Sequence, residues 1–161
     1  MPTTLPVPIQ FQLPEGWLPA AAPEDVAYAA VHPQPDAGFA ANITIDGGFP
    51  KEDVTLDELA EASADRLRSV AESVVVTHRR ELGSADAPAL AQRLTFSAVV
   101  GDARLDLVQS QIYLILLDTE DPHKRALIRL ALTATAAQHD SVLEDFQDFV
   151  RTVRPDTGAE D

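Results

Sequence analysis

Four β-rich segments in succession constrain the fold of this chain more than any other feature. They lie near 74–82, 89–99, 105–117 and 125–134, and are joined by short links that contain Gly83-Ser84, Gly101-Asp102 and residues 118–123. Links this short join neighbouring antiparallel strands, because a parallel pair needs a crossover of a dozen or more residues. The second half of the chain therefore predicts an antiparallel sheet.

The first half of the chain adds strands and a helix. Alternating apolar and polar residues predict a strand at 9–13, and a Pro- and Ala-rich loop is expected over 18–25. Two short strands are expected at 26–31 and 39–45, separated by a turn at 33–38. Thr55-Leu-Asp-Glu58 is a capping box, so a helix is predicted over 55–73. Trp17, which lies between a strand and a turn, is expected in the core because an indole buries a large area.

A second helix is predicted after the last strand. Thr135-Ala-Ala-Gln138 repeats the capping pattern, and the helix should end before Arg154-Pro155. Leu67 and Phe146 are expected to face the core from the two helices, so changing either to Ala should cost about 2–5 kcal/mol. The order β-β-β-α-β-β-β-β-α favours an α+β fold, a largely antiparallel sheet with its helices packed against it.

Size and charge limit the domain count and the classes of partner. The 161 residues, 45% of them hydrophobic, fit one domain over 1–155 followed by an acidic tail at 156–161 that should be frayed. A net charge of −14 opposes binding to nucleic acid or to anionic membranes. The N-terminal residues are typical of a mature start, and the longest apolar run, 112–117, is too short for membrane insertion.

Residues that carry catalysis or bind metals are scarce. The chain has no cysteine, which excludes thiolate nucleophiles, Cys-ligated zinc and iron–sulfur clusters. The common nucleotide-binding, zinc-protease and hydrolase motifs are also absent. The histidines, expected to be surface or capping residues because no helix or hairpin pairs them locally, are His32, His78, His123 and His139. The sequence thus predicts no catalytic residue, no metal and no cofactor, and a solvated loop at 118–123.

Strand parity predicts which residues share a face of the sheet. If Leu114 pairs with Ile128, and a three-residue turn spans 101–103, the apolar residues of the last three strands lie on one face. A two-residue turn would instead bury Arg93, so the pattern favours the longer turn. On the opposite face, Arg93 should then lie across from Gln111.

That opposite face is the predicted partner-binding surface. It should gather polar residues, including Tyr113 across from Arg129, and arginine and tyrosine often anchor protein interfaces. The alternative is a solvated or loop-covered face that binds nothing. The residues predicted to bind a partner are Arg93, Gln111, Tyr113 and Arg129.

Two segments carry a resemblance to a known superfamily. Near the N-terminus, Phe11-Gln-Leu-Pro14-Glu-Gly16-Trp17 contains a Pro-x-Gly-Trp element, and the chain closes on Phe146-Gln-Asp-Phe149-Val150-Arg-Thr-Val153-Arg-Pro155. Together with the mid-chain helix and the late strands, they resemble the PsbP-like α/β/α sandwich. This superfamily includes the PsbP photosystem proteins, the Ran-binding Mog proteins, actinobacterial LpqN-type lipoproteins and adaptor-chaperones of bacterial secretion systems. The resemblance covers nearly the whole chain, and its motifs are structural.

The resemblance implies a non-enzymatic binding or adaptor domain that presents a sheet surface to an unidentified protein partner. It supplies no catalytic residues, and it is compatible with a homodimer. The chain lacks the signal peptide and lipidation cysteine of LpqN-type lipoproteins, so we expect a cytoplasmic bacterial relative. A small-molecule binding domain, with a pocket between sheet and helix, is the alternative, and an enzyme comes third.

Overall fold

The computed structural model describes residues 9–23, 26–51, 53–84, 87–117 and 125–155. Its helices are α1 (Leu56–Arg68) and α2 (Ala136–Thr152). Its strands are β1 (Ile9–Gln10), β2 (Leu18–Ala20), β3 (Tyr28–Val31), β4 (Asn42–Gly48), β5 (Glu72–Gly83), β6 (Pro88–Val100), β7 (Ala103–Leu117), β8 (Arg125–Thr135) and β9 (Arg154–Pro155). The predicted loop at 118–123, with His123, and the predicted tail at 156–161 lie outside the described residues.

Seven of these strands form one antiparallel sheet in the order β2-β3-β4-β8-β7-β6-β5, and β1 pairs separately with β9. The strands β5 to β8 are successive neighbours, as their short links predict. The earlier strands join the sheet where β4 pairs with β8, with Ile43 across from Leu132 and Ile45 across from Leu130. The α+β class with a largely antiparallel sheet is confirmed.

The main apolar core lies between α2 and one face of the sheet. Phe146 and Phe149 of α2 are 2% and 1% exposed, and Trp17 is 5% exposed in the same cluster, so Phe146 and Trp17 lie in the core as predicted. The Trp17 indole N–H donates to Asp145 Oδ2 at 3.0 Å, which satisfies its polar atom. The sheet residues of this cluster include Ile43, Ile45, Ile128, Leu130 and Leu132.

Both helices begin at the predicted caps. The Thr55 hydroxyl accepts from the Glu58 N–H at 3.1 Å, and the Glu58 carboxylate accepts from the Thr55 N–H at 3.4 Å. The Thr135 hydroxyl accepts from the N–H of Gln138 at 3.2 Å. The first helix ends earlier than predicted, because the chain must turn into β5, and Val70 is 79% exposed beyond its end.

Some strand boundaries differ from the prediction. The segment predicted as loop contains β2, which pairs with β3 although it includes Pro19. The strand predicted at 9–13 shortens to β1, and the one predicted at 39–45 begins only at Asn42. These short elements depend on pairing with distant segments, which local alternation does not reveal.

The register of β7 and β8 is as predicted, but the turn between β6 and β7 is not. Leu114 pairs with Ile128, and Tyr113 pairs with Arg129. The turn contains two residues, with Val100 across from Ala103, so the predicted three-residue turn is wrong. A change of one residue moves every side chain of β6 to the other face.

Candidate functional site

Three of the residues predicted to bind a partner lie beneath α1. Gln111 and Tyr113 are each 1% exposed, and Arg129 is close enough to hydrogen-bond with the helix. The helix approaches the sheet with small residues, chiefly Ala60 and Ser63, which are buried. A helix therefore covers this face, which is neither solvated nor covered by a loop.

Hydrogen bonds join the buried glutamine and tyrosine side chains of this covered face to α1 and to one another. Gln111 Nε2 donates to Ser63 Oγ at 3.1 Å, and Tyr113 Oη donates to Gln111 Oε1 at 2.7 Å. Gln92 Nε2 donates to Gln111 Oε1 and to the Ala60 carbonyl oxygen, both at 3.0 Å. Buried polar groups are stable where they have such partners, so the polarity of this face reflects an internal network.

Arg129 links this network to β4. Its two terminal nitrogens donate to Ser63 Oγ at 3.0 Å and to Asp46 Oδ2 at 2.6 Å. Asp46 lies directly across from Arg129 in the sheet, and both side chains are about four-fifths buried, at 17% and 20% exposure. The arginine thus holds α1 against the sheet and offers little surface to a partner.

Arg93 lies on the other face of the sheet, apart from Gln111, Tyr113 and Arg129. The two-residue turn places it across from Ser110, so the predicted pairing of Arg93 with Gln111 is wrong. The structure therefore does not bring the four residues together on one surface. Whether any of them binds a partner stays a prediction.

On the face that carries Arg93, a groove of about 800 Å³ opens between α2 and the strands β5, β6 and β7. We call it the basic groove. The strands supply its floor and one side, and α2 supplies the other side. Its lining residues are His78, Arg79, Arg80, Leu82, Ala91, Gln92, Arg93, Ser110, Gln111, Ile112, Leu143, Phe146, Gln147, Val150 and Arg151. Three of these residues, Arg79, Gln92 and Gln111, form side-chain hydrogen bonds to α1 on the opposite face of the sheet.

The charge of the basic groove is opposite to that of the whole chain. A histidine and three arginines direct their side chains towards it, namely His78, Arg80, Arg93 and Arg151, and no Asp or Glu lines it among the described residues. Arg79 pairs with Glu61 at 2.9 Å, and Arg151 pairs with Asp148 at 2.6 Å. Arg80 and Arg93 have no carboxylate partner in the described part of the chain. Two arginine charges are thus without an ion-pair partner among the described residues, although the chain has 26 acidic residues.

A buried hydrogen-bond chain positions Arg93 at the floor of the groove. Arg93 Nε donates to Ser110 Oγ at 3.3 Å, and Ser110 Oγ lies 2.9 Å from His139 Nε2. The Asp140 carboxylate lies 3.5 Å from His139 Nδ1, which favours the tautomer protonated on Nδ1. Nε2 then accepts from the Ser110 hydroxyl, whose oxygen in turn accepts from Arg93 Nε.

His139 is neutral in this environment. The residue is 2% exposed, so the prediction that it is a surface or capping residue is wrong. Burial lowers the pKa of His139, and the charge of Arg93 lowers it further, against the opposing hydrogen bond with Asp140. The sequence contains one signal for this burial. His139 lies one helical turn after the helix cap Thr135, which is itself buried, so both face the same way.

Among the described residues, no three His, Asp or Glu side chains come together in a way that could hold a metal ion. Neither helix in the described part of the chain is long and apolar enough to cross a membrane.

Comparison with solved structures identifies the fold. LpqN of Mycobacterium tuberculosis, described as involved in cell envelope biogenesis, matches with a TM-score of 0.65 at 12% identity, over 93% of this chain and 86% of that one. The chain has a PsbP-like fold. CyanoP, the PsbP of Synechocystis sp. PCC 6803, matches with a TM-score of 0.57 at 14% identity, over 91% of this chain and 86% of that one.

A Ran-binding protein shares this PsbP-like fold. Mog1p of Saccharomyces cerevisiae matches with a TM-score of 0.58 at 14% identity, over 91% of this chain and 89% of that one. No family model matches the chain, and no curated protein matches it by sequence. The α/β/α sandwich expected from the Pro-x-Gly-Trp element and the closing helix is therefore confirmed at the level of the fold.

Sequence reasoning missed the residues that line the basic groove with Arg93. His78, Arg80 and Arg151 come from β5 and α2, which the predicted elements did not place on one face. A signal was present, since His78-Arg-Arg80 is one of two runs of three basic residues in an acidic chain, the other being His123-Lys-Arg125. Whether this run shares a face of the sheet with Arg93 depends on the length of the turn at 101–102, because that length decides on which face Arg93 lies.

Proposed function

We propose that this domain is a non-enzymatic binding module that holds an acidic, partly apolar segment of a protein partner in the basic groove. The pair Arg80 and Arg93, which lacks an ion-pair partner among the described residues, carries this proposal. A guanidinium binds a carboxylate through two parallel hydrogen bonds, so it is well suited to select an acidic segment. A Ran-binding protein of the same fold supports a role in protein binding.

The apolar residues of the groove explain why the segment should also carry apolar side chains. Leu82, Ala91 and Ile112 lie on the sheet side of the groove, and Leu143 and Val150 lie on the α2 side. Burying apolar area contributes about 25 cal/mol per Å², whereas exposed ion pairs alone contribute little. A segment that combines both types of side chain uses the whole groove.

The negative charge of the whole chain does not prevent such binding at physiological salt. The screening length is then about 8 Å, so the nearby arginines act on a bound segment more strongly than the distant carboxylates. We also propose that the module acts in the cytoplasm, because a chain without cysteine suits a reducing compartment.

A synthetic probe tests the proposed function. The probe is a capped, labelled nine-residue peptide with valine at positions 2 and 8, glutamate at positions 4 and 6, and threonine at the odd positions. We expect it to bind the full chain, and to bind at least tenfold more weakly when both glutamates are replaced by glutamine. Arg80→Ala should also weaken binding about tenfold, measured by fluorescence polarisation.

Arg66→Ala is the matched control. Arg66 is an exposed arginine of α1, has no carboxylate partner among the described residues, and does not line the basic groove. This variant changes the net charge by the same amount and should leave probe binding unchanged. Equal losses in both variants, or no binding to the wild-type chain, would show that the groove does not select acidic segments.

A small-molecule ligand is the second candidate, and the size of the groove favours it. Ligand pockets usually have volumes of about 300–1,000 Å³, and the basic groove lies in this range at about 800 Å³. Native mass spectrometry of the protein purified from its own cells would distinguish a small-molecule ligand from a peptide segment. A stoichiometric small anion that Arg80→Ala releases would support this candidate over the peptide.

A further inference from the structure

The strand β5 forms one edge of the seven-stranded sheet. It pairs with β6 on one side, and no strand in the described residues covers its other side. In an edge strand of an antiparallel sheet, every second residue directs its backbone N–H and C=O outward. Such outward groups can form main-chain hydrogen bonds with an added strand.

The two edges of the sheet differ in their capacity to accept a strand. The other edge, β2, has three residues and contains Pro19, which cannot donate a backbone hydrogen bond. The first half of β5 is interrupted by two register shifts, and its Thr77 hydroxyl turns back to donate to the Arg93 carbonyl oxygen. From His78 to Gly83, however, the pairing with β6 is uninterrupted. Those residues provide about 20 Å of regular edge.

The side chains of this regular segment alternate between the two faces. His78, Arg80 and Leu82 line the basic groove, whereas Arg79 turns towards α1 and pairs with Glu61. A strand added beside β5 would place every second side chain next to His78, Arg80 and Leu82. Opposite charges directly across a strand pair stabilise it, and like charges destabilise it.

We infer that the acidic segment binds by strand addition to the His78–Gly83 half of β5, with acidic side chains at alternate positions facing the basic groove. This inference rests on the proposed function, because it names the mode in which that same groove takes up its partner. Main-chain hydrogen bonds to β5 hold the segment extended. Arg80 and the neighbouring Arg93 then select carboxylates on one face, and Leu82 accepts an apolar side chain two residues away.

N-methylated versions of the nine-residue probe test strand addition directly. An N-methyl group removes one backbone donor and blocks pairing on that side of the peptide. One peptide is methylated at the glutamates and the other at the threonines of positions 3, 5 and 7. We expect one of them to lose binding at least twentyfold and the other to bind within threefold of the parent probe, because alternate amides face opposite sides.

Hydrogen exchange provides a second measurement on the full chain. When the parent probe binds, alternate amides between His78 and Gly83 should exchange at least tenfold more slowly. Amides of β2 at the other edge serve as the internal control and should not change. Protection confined to α2 would instead show that the segment lies across the helix.

The outcomes separate this inference from the proposed function. If both methylated peptides bind as well as the parent probe, and Arg80→Ala still weakens their binding, strand addition is wrong. The proposal that the groove binds acidic segments then still stands. If no acidic probe binds, both proposals fail. If β5 amides are protected without peptide and the protection rises with protein concentration, the edge pairs with a second copy of the chain, which overturns the inference.

Discussion

His139 is a buried titratable residue whose surroundings include polar groups from three elements. Ser110 on β7 hydrogen-bonds to its ring, Arg93 on β6 lies one side chain further away, and Asp140 follows it on α2. Burial and the Arg93 charge both disfavour a second proton on the ring. Protonation would add a positive charge beside an existing one.

We predict that this histidine makes the fold less stable as the pH falls. Its folded-state pKa is below the ordinary value of about 6.5, so below that pH the unfolded chain binds the proton more readily. The free energy of unfolding should be fully retained above pH 7 and should decrease as the pH falls through 6.5 towards the lower, folded-state pKa. Urea titrations at pH 7.5 and pH 5.5 measure this change.

The variant His139→Gln isolates this effect, because glutamine can still accept from Ser110 but does not titrate. Its free energy of unfolding should decrease less than that of the wild type between the two pH values. His78→Gln, at an exposed position, is the control and should behave like the wild type. Identical pH dependence in all three proteins would show that His139 does not titrate differently on folding.

The faces of individual polar residues were the least predictable feature. Polar character suggested that Gln111 and Tyr113 face solvent, yet both are buried under α1 with hydrogen-bond partners. The same reasoning rejected the two-residue turn, because that turn places Arg93 on the apolar face that packs against α2. In the structure Arg93 does lie on that face, but it is only half-buried because the groove there is open. A sequence shows polarity but not whether a partner or a neighbouring helix is present.

At the scale of elements, the two helices are attached to the sheet in different ways. The α2 helix buries Val142, Phe146 and Phe149 in the main apolar core. The α1 helix fully buries only small side chains, and packs the partly buried Leu56 and Leu59 against a smaller cluster of the sheet. Hydrogen bonds, including one from Arg129, also hold it. Large apolar side chains should therefore contribute more to the attachment of α2 than to that of α1.

We predict that Phe146→Ala lowers the free energy of unfolding by about 3–5 kcal/mol, from lost transfer energy and a new cavity. Leu67→Ala should cost less than about 2 kcal/mol, because Leu67 is half-buried at the end of α1 and fills less of a closed space. Both values come from urea unfolding. A larger loss for Leu67→Ala than for Phe146→Ala would contradict this assignment of the helices.

A pair of glycines tests the geometry of the hairpins. Gly83 and Gly101 both have a positive φ, of +76° and +60°. A Cβ at Gly83 would overlap the carbonyl oxygen of Ala87, whereas one at Gly101 would meet nothing within 4 Å. We predict that Gly101→Ala costs about 1 kcal/mol from the left-handed backbone alone, and that Gly83→Ala costs at least about 2 kcal/mol more.

Urea unfolding of both glycine variants, compared with the wild type, measures the difference. Because the backbone contribution is common to the two sites, the difference reports the overlap with Ala87. Equal losses would mean that the chain relaxes around Gly83, and that this turn is not sterically tight.

The existence and type of the long elements could be predicted because their signals are local. Capping residues such as Thr55 and Thr135 act within one helical turn, and hairpin links connect neighbouring strands. The strands β2 and β9 could not be predicted, since each is ordered by a partner far away in the sequence. The exact length of the β6–β7 turn required knowledge of what covers each face.

At the scale of the whole molecule, the net charge of −14 destabilises the compact state by self-repulsion. The ion pairs at Arg68, Arg104 and Arg151 are exposed, and such pairs contribute little. We predict that raising sodium chloride from 10 to 150 mM increases the free energy of unfolding by on the order of 1 kcal/mol. A decrease, measured by urea titration at pH 7.5, would show that ion pairs outweigh the repulsion.

The order of strands in the sheet has a consequence for how the chain folds as it is synthesised. The pairing of β4 with β8 joins Asp46 to Arg129, 83 residues later in the chain. Closing so long a loop costs entropy before any contact compensates for it. Until β8 leaves the ribosome, Ile43 and Ile45 have no apolar surface of β8 or α2 to pack against. The N-terminal strands therefore complete their folding only after almost all of the described chain has been made, and proteins with such distant pairings fold slowly.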